Sequence, residues 1–171
     1  NSMAIGTAAK TVSSNNATAI GHGAFVAKNS HSAIAVGESA QAGKEAATAI
    51  GKEAAAKGKN SLAAGTSAVA EGENAGSVGQ GTEAKGKNAV AIGNASQTAG
   101  SSSVAVGDEA GAAAGRSVSV GIGAGKGMIG DVLGTKGSHV SIGDEAGQNV
   151  DGQHDIAIGT KAGGNVSSNY N

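Results

Sequence analysis

Small and apolar residues alternate along this chain in short bursts, each closed by a glycine. The stretches Ala33-Ile34-Ala35-Val36-Gly37, Ala47-Thr48-Ala49-Ile50-Gly51, Ala89-Val90-Ala91-Ile92-Gly93, Ser103-Val104-Ala105-Val106-Gly107 and Ser117-Val118-Ser119-Val120-Gly121 follow one pattern. Residues one and three before the glycine are mostly large, and those two and four before are small. A period of two marks strands with one buried and one exposed face. The anchoring glycines are Gly6, Gly21, Gly37, Gly51, Gly65, Gly79, Gly93, Gly107, Gly121, Gly143 and Gly159. They are spaced 15, 16, then six times 14, then 22 and 16 residues apart. Regular spacing at this period is the signature of a repeat architecture.

A second strand follows each anchor. Small residues stand three and five positions after it, as in Ala40 and Ala42, Ala54 and Ala56, and Ala68 and Ala70. The position between them changes freely through Gln41, Ala55, Val69, Glu83, Gln97 and Gly111, which predicts an outward side chain. Seven residues after several anchors comes another turn signal, Gly58, Gly72, Gly86 and Gly100. Glycine takes positive φ without steric cost, so both turns of the repeat are expected to use it. Alanine is the best helix former, yet these glycines leave no stretch long enough to nucleate an isolated helix.

Each repeat thus reads as one coil of a two-sheet solenoid. Coils about 4.8 Å apart bring Lys57 and Lys59 beside Glu71 and Glu73, and those beside Lys85 and Lys87. Such a ladder specifies register more than it stabilises, because water screens exposed pairs.

The favoured phase places the Val/Ile set inside the roll, against the small residues of the second strand. The flat Ala/Ser stripe then packs against other chains. The opposite assignment, Val/Ile between chains, stays open from sequence.

Composition supports a thin core. The 171 residues include 31 Gly, one Phe, one Tyr and no Trp or Pro. Large aromatics dominate the burial of ordinary domains, so Ala, Val and Ile must build this one. With 12 basic and 13 acidic residues, no electrostatic footprint for nucleic acid or anionic lipid is expected. The absence of Cys excludes disulfides and thiolate metal sites. No apolar run reaches the length of a membrane span. The first residues already read as repeat, so the chain is expected to be a segment of a longer protein.

Asn88-Ala89-Val90-Ala91-Ile92-Gly93 and, with departures, Asn60-Ser61-Leu62-Ala63-Ala64-Gly65 carry a family resemblance. The chain resembles the head of trimeric autotransporter adhesins, the YadA-like head with haemagglutinin repeats, over essentially its whole length. That resemblance implies an all-β fold: a left-handed parallel β-roll of about 14-residue repeats, assembled as a parallel homotrimer. The expected organisation is a single head domain over residues 1–171, with an insertion around 125–136. The resemblance also implies a Gram-negative cell surface, reached through a stalk and outer-membrane anchor outside this segment. Binding to extracellular-matrix proteins such as collagen, fibronectin or laminin, and self-association between cells, come with it. The 22-residue interval and the degenerate Ala75-Gly76-Ser77-Val78-Gly79 depart from the pattern.

Other signals are set aside. Gly125-Lys126-Gly127-Met128-Ile129-Gly130 matches G-x-G-x-x-G, but a nucleotide loop needs a strand before it, a helix after it and a downstream acid. His22, His31, His139 and His154 fall in different phases of the repeat and suggest no metal site. Neither a cofactor nor catalysis is expected. The insertion places Met128, Ile129, Val132 and Leu133 in a loop, as a cap, an interchain contact or a ligand contact. Phe25 falls at the outward phase, where an aromatic side chain suits a binding hot spot.

The leading expectation is an adhesive head acting by avidity; a structural spacer rod with no ligand of its own is the alternative. An ice-binding solenoid would need an outward row of Thr. A polysaccharide-cleaving β-helix would need longer coils and clustered acids. Neither is visible.

Overall fold

The computed structural model describes residues 1–127, 137–152 and 154–165. Within them the chain winds as an all-β parallel solenoid of two sheets. The first limb of each coil contributes a three-residue strand to an eleven-stranded sheet, from Met3–Ile5 to Ile156–Ile158. The second limb contributes two-residue strands to an eight-stranded sheet, from Lys10–Thr11 to Gly111–Ala112. Register is uniform: Val90, Ala91 and Ile92 lie beside Val104, Ala105 and Val106 of the next coil. Val69 and Ala70 lie beside Glu83 and Ala84. At the strand spacing of a sheet, the eleven strands make a rod about 50 Å long.

The alternation has the expected period and the opposite sense. The small residues are the core. Ala33, Ala35, Ala47, Ala49, Ala89, Ala91 and Ala105 are fully buried, as are Ala40, Ala42, Ala54, Ala56, Ala68 and Ala70 of the second limb. The branched residues of the first limb point outward, with Ile50 46% and Ile92 40% exposed. Val/Ile inside and Ala/Ser outside is therefore corrected. The physical reason is thickness: two short-turned sheets of the same coil lie too close for anything much larger than a methyl or hydroxymethyl group. Val26 is a fully buried exception, as is His139 near the far end.

Hydroxyls inside this narrow core bond across it and to the turns that close it. Ser77 donates to the Thr82 hydroxyl at 2.6 Å, and Thr82 donates to the carbonyl of Gly79 at 3.0 Å. Ser61 and Ser103 each donate to a turn carbonyl, of Gly58 and Gly100, at 2.7 and 2.6 Å. Ser119 reaches across to the carbonyl of Gly111 at 2.7 Å.

The two turns of a coil work differently. At the first, the anchors Gly37, Gly51, Gly65, Gly79, Gly93, Gly107, Gly121, Gly143 and Gly159 have φ between +119° and +140°, a region other residues rarely enter. At the second, Gly58, Gly72, Gly86 and Gly100 do not have positive φ, which corrects the expectation for that turn. What requires glycine there is proximity: a Cβ on Gly58 would lie 1.9 Å from the carbonyl oxygen of Gly72 in the next coil. The left-handed residue sits two positions later, at Asn60, Asn74 and Asn88 (φ 55–57°), and asparagine tolerates that conformation.

The last three coils change type. After Gly121, Gly143 and Gly159 the second limb turns at Gly125, Gly147 and Gly163, all at φ +61° to +63°. These glycines pack onto the first sheet: a Cβ at Gly147 would lie 2.0 Å from the Ser141 hydroxyl.

A core this thin leaves no room for added volume. Ala91→Leu is expected to destabilise the fold by about 2–4 kcal/mol through overpacking. A midpoint shift in chemical denaturation, with unchanged slope, measures it.

Candidate functional site

Two columns of aliphatic side chains run along the outer face of the eleven-stranded sheet. One contains Ile34, Leu62, Val90, Val104, Val118, Val140 and Ile156; the other contains Ile20, Val36, Ile50, Val78, Ile92, Val106, Val120, Ile142 and Ile158. Strand pairing sets them in line, Val106 beside Val120 and Val120 beside Ile142. Ile34, Leu62, Val78 and Ile142 remain 37–40% exposed. Scattered apolar residues on a surface are ordinary; a contiguous stripe along an entire sheet marks an interaction face.

Polar ladders border that face. Asn60 donates to Asn74 at 3.2 Å and Asn74 to Asn88 at 2.9 Å, through their side-chain amides. Lys57 pairs with Glu71 at 2.9 Å and Lys87 with Glu73 at 3.1 Å, as the coil stacking predicts. Lys59 instead pairs backward with Glu45 at 2.8 Å, and Lys85 with Glu83 of its own coil at 2.7 Å. The Lys57 ammonium, hydrogen-bonded to Glu71, holds that carboxyl below its ordinary range. The hydrogen bond from Lys59 does the same for Glu45. These are solvated rungs, and none is arranged around a common point.

Phe25 stands on the outer face of the eight-stranded sheet, 36% exposed, between Lys10 and Gln41 of neighbouring coils. Met128, Ile129, Val132 and Leu133 lie outside the described residues. Gly125, Lys126 and Gly127 form part of a turn, and the Lys126 ammonium is paired with Glu109. A shallow groove of about 400 Å³ opens beside them, over Gln97, Ala99, Gly111 and Ala113.

The four histidines are not gathered. His22, His31 and His154 are exposed, and the His31 ring accepts from the Asn15 backbone N–H at 3.0 Å. Among the described residues no three His, Asp or Glu side chains could hold one metal ion. No helix among them is long and apolar enough to cross a membrane.

One cluster escaped the sequence reading. His139 and Asp155 occupy the buried column four residues before the anchors Gly143 and Gly159, where other coils carry Ala or Ser. Ser117 precedes them in that column and accepts from the His139 backbone N–H at 3.2 Å. Counting positions from each anchor, rather than comparing the histidines with one another, would have revealed the pair.

The family model described as YadA head domain repeat (2 copies) matches residues 1–24, 29–54, 56–82 and 84–110, together more than half of the chain. A comparison with curated proteins finds no match.

Proposed function

Because this chain belongs to the YadA head domain family, we propose that it is the adhesive head of a bacterial surface protein and acts as a parallel homotrimer. Three copies meet through the aliphatic columns of the eleven-stranded sheet. The observation that carries this reading is the length of that stripe, with residues from Ile34 to Ile158 exposed in a single chain. Packing the stripes together removes apolar area from water at about 25 cal/mol per Å². The second sheet, with its variable outward row and Phe25, then faces the environment.

The proposed ligands are extracellular-matrix proteins: collagen, fibronectin or laminin. Fibrous partners suit a surface whose coils offer nearly the same pattern many times. Weak contacts multiplied along and around a trimer raise avidity by about 10²–10⁴-fold over a single contact. No catalytic step is part of this function. The trimer is held at the outer surface of the cell by parts of the protein beyond this segment, and head-to-head contact between cells accounts for self-aggregation.

The test is solid-phase binding of the 171-residue chain to immobilised collagen, fibronectin and laminin. Saturable binding that weakens at least about tenfold when the trimer is dissociated by mutation supports the adhesin. Lack of binding to all three by an intact trimer favours the spacer rod.

A further inference from the structure

Seven successive coils fill the column four residues before the anchor with Ala33, Ala47, Ser61, Ala75, Ala89, Ser103 and Ser117, all buried. The next two coils fill it with His139, 1% exposed, and Asp155, 5% exposed. Imidazole Nδ1 lies 3.4 Å from a carboxylate oxygen of Asp155. Neither ring nitrogen of His139 makes a hydrogen bond among the described residues. The backbone ties the same coils together: the Val140 N–H donates to the Asp155 carbonyl at 2.9 Å, and the Val118 N–H donates to the His139 carbonyl at 2.8 Å.

We propose that His139, buried beside Asp155, makes the last two coils acid-sensitive: docked on the rod at neutral pH and loosened on acidification. The alanine-cored coils before them contain no buried titratable side chain among the described residues and stay closed. Protonating His139 in place means burying a cation in a core built for methyl groups. Burial is the largest influence on the ring and disfavours its charged form; the Asp155 carboxylate opposes that effect, and His154 adds to it. Ser117, from the preceding coil, is not titratable. A detached coil therefore takes up the proton more readily than a docked one. The docking free energy is fully present above the ordinary imidazole value, about 6.5, and is lost as pH falls through it. His22 and His31 stand at the exposed surface, outside the buried column.

Hydrogen exchange of the full chain at pH 7.5 and 5.5, corrected for the intrinsic rate, reads this directly. The Val140 and Gly143 amides are expected to exchange several-fold faster at pH 5.5, up to about tenfold, the bound set one unit below the ordinary imidazole value of about 6.5. The Thr48 and Gly51 amides should change less than about twofold. His139→Ser, which restores the residue found at Ser103 and Ser117, should keep protection at pH 7.5 and remove the acid response. Asp155→Asn should steepen it. Equal protection of Val140 at both pH values, stronger protection in acid, or an acid response that survives in His139→Ser would each overturn the proposal. The unmutated chain alone decides it should either variant fail to fold.

Discussion

Gly93→Val is expected to lower the melting temperature of the chain by at least about 10 °C. Gly93 has φ +134°, a conformation held by other residues only at a cost of about 1–3 kcal/mol. Space is the larger obstacle. A Cβ there would lie 2.2 Å from the carbonyl oxygen of Gly107 in the next coil, and backbone cannot give way without opening the ladder on both sides. Collision begins at the first side-chain atom, so Gly93→Ala should be nearly as harmful as valine. Gln97→Arg supplies the contrast: its side chain is exposed on the outward row, and a change there should stay within about 0.5 kcal/mol. Thermal unfolding followed by circular dichroism separates the three variants. Equal melting temperatures for Gly93→Ala and Gln97→Arg would contradict this packing.

Ile50→Asp combined with Ile92→Asp is expected to reduce the assembly to single chains while the sheet signal at room temperature persists. Both side chains point away from the alanine core, so the solenoid's own ladder and interior are untouched. At an interface of three copies, each substitution places three carboxylates in contact with apolar surface. A buried, unpaired charge costs several kcal/mol, and six of them exceed what a stripe of this kind gains. Sedimentation equilibrium at micromolar concentration measures the change. A variant that keeps the parent mass would place the interface on another face.

Much of this fold was legible because its repetition is strict. The six 14-residue intervals between Gly37 and Gly121, the two-strand coil and the outward row through Gln41, Glu83 and Gln97 all follow from residue spacing. The phase of the first strand was misread because hydrophobicity was used as the guide to burial. Size restriction is the better guide in so thin a core. From Ala19 to Ala157 the column two before the anchor admits only Ala and Ser, while the neighbouring positions range from Gly76 to Leu62. Narrow tolerance marks the side that is sterically confined. Gly58 was read as a φ-driven turn because sequence does not distinguish a conformational glycine from one that makes room for the next coil's carbonyl. The left-handed duty falls to Asn60, which explains why asparagine opens the repeat motif. His139 and Asp155 stayed hidden because they lie in the 22-residue interval and the 16-residue one after it, where the 14-residue count no longer holds. The proposed interface was visible only as one of two open alternatives, since a period of two does not say which face meets solvent.

These points converge on one physical claim: a chain whose interior accepts only small residues must leave its branched aliphatic residues for contacts between chains. Its most direct test is the solution mass of the purified 171-residue chain by sedimentation equilibrium or light scattering. The account predicts three times the 16.0 kDa chain mass, stable to dilution into the low micromolar range. A folded, stable monomer with the aliphatic columns in water would contradict it.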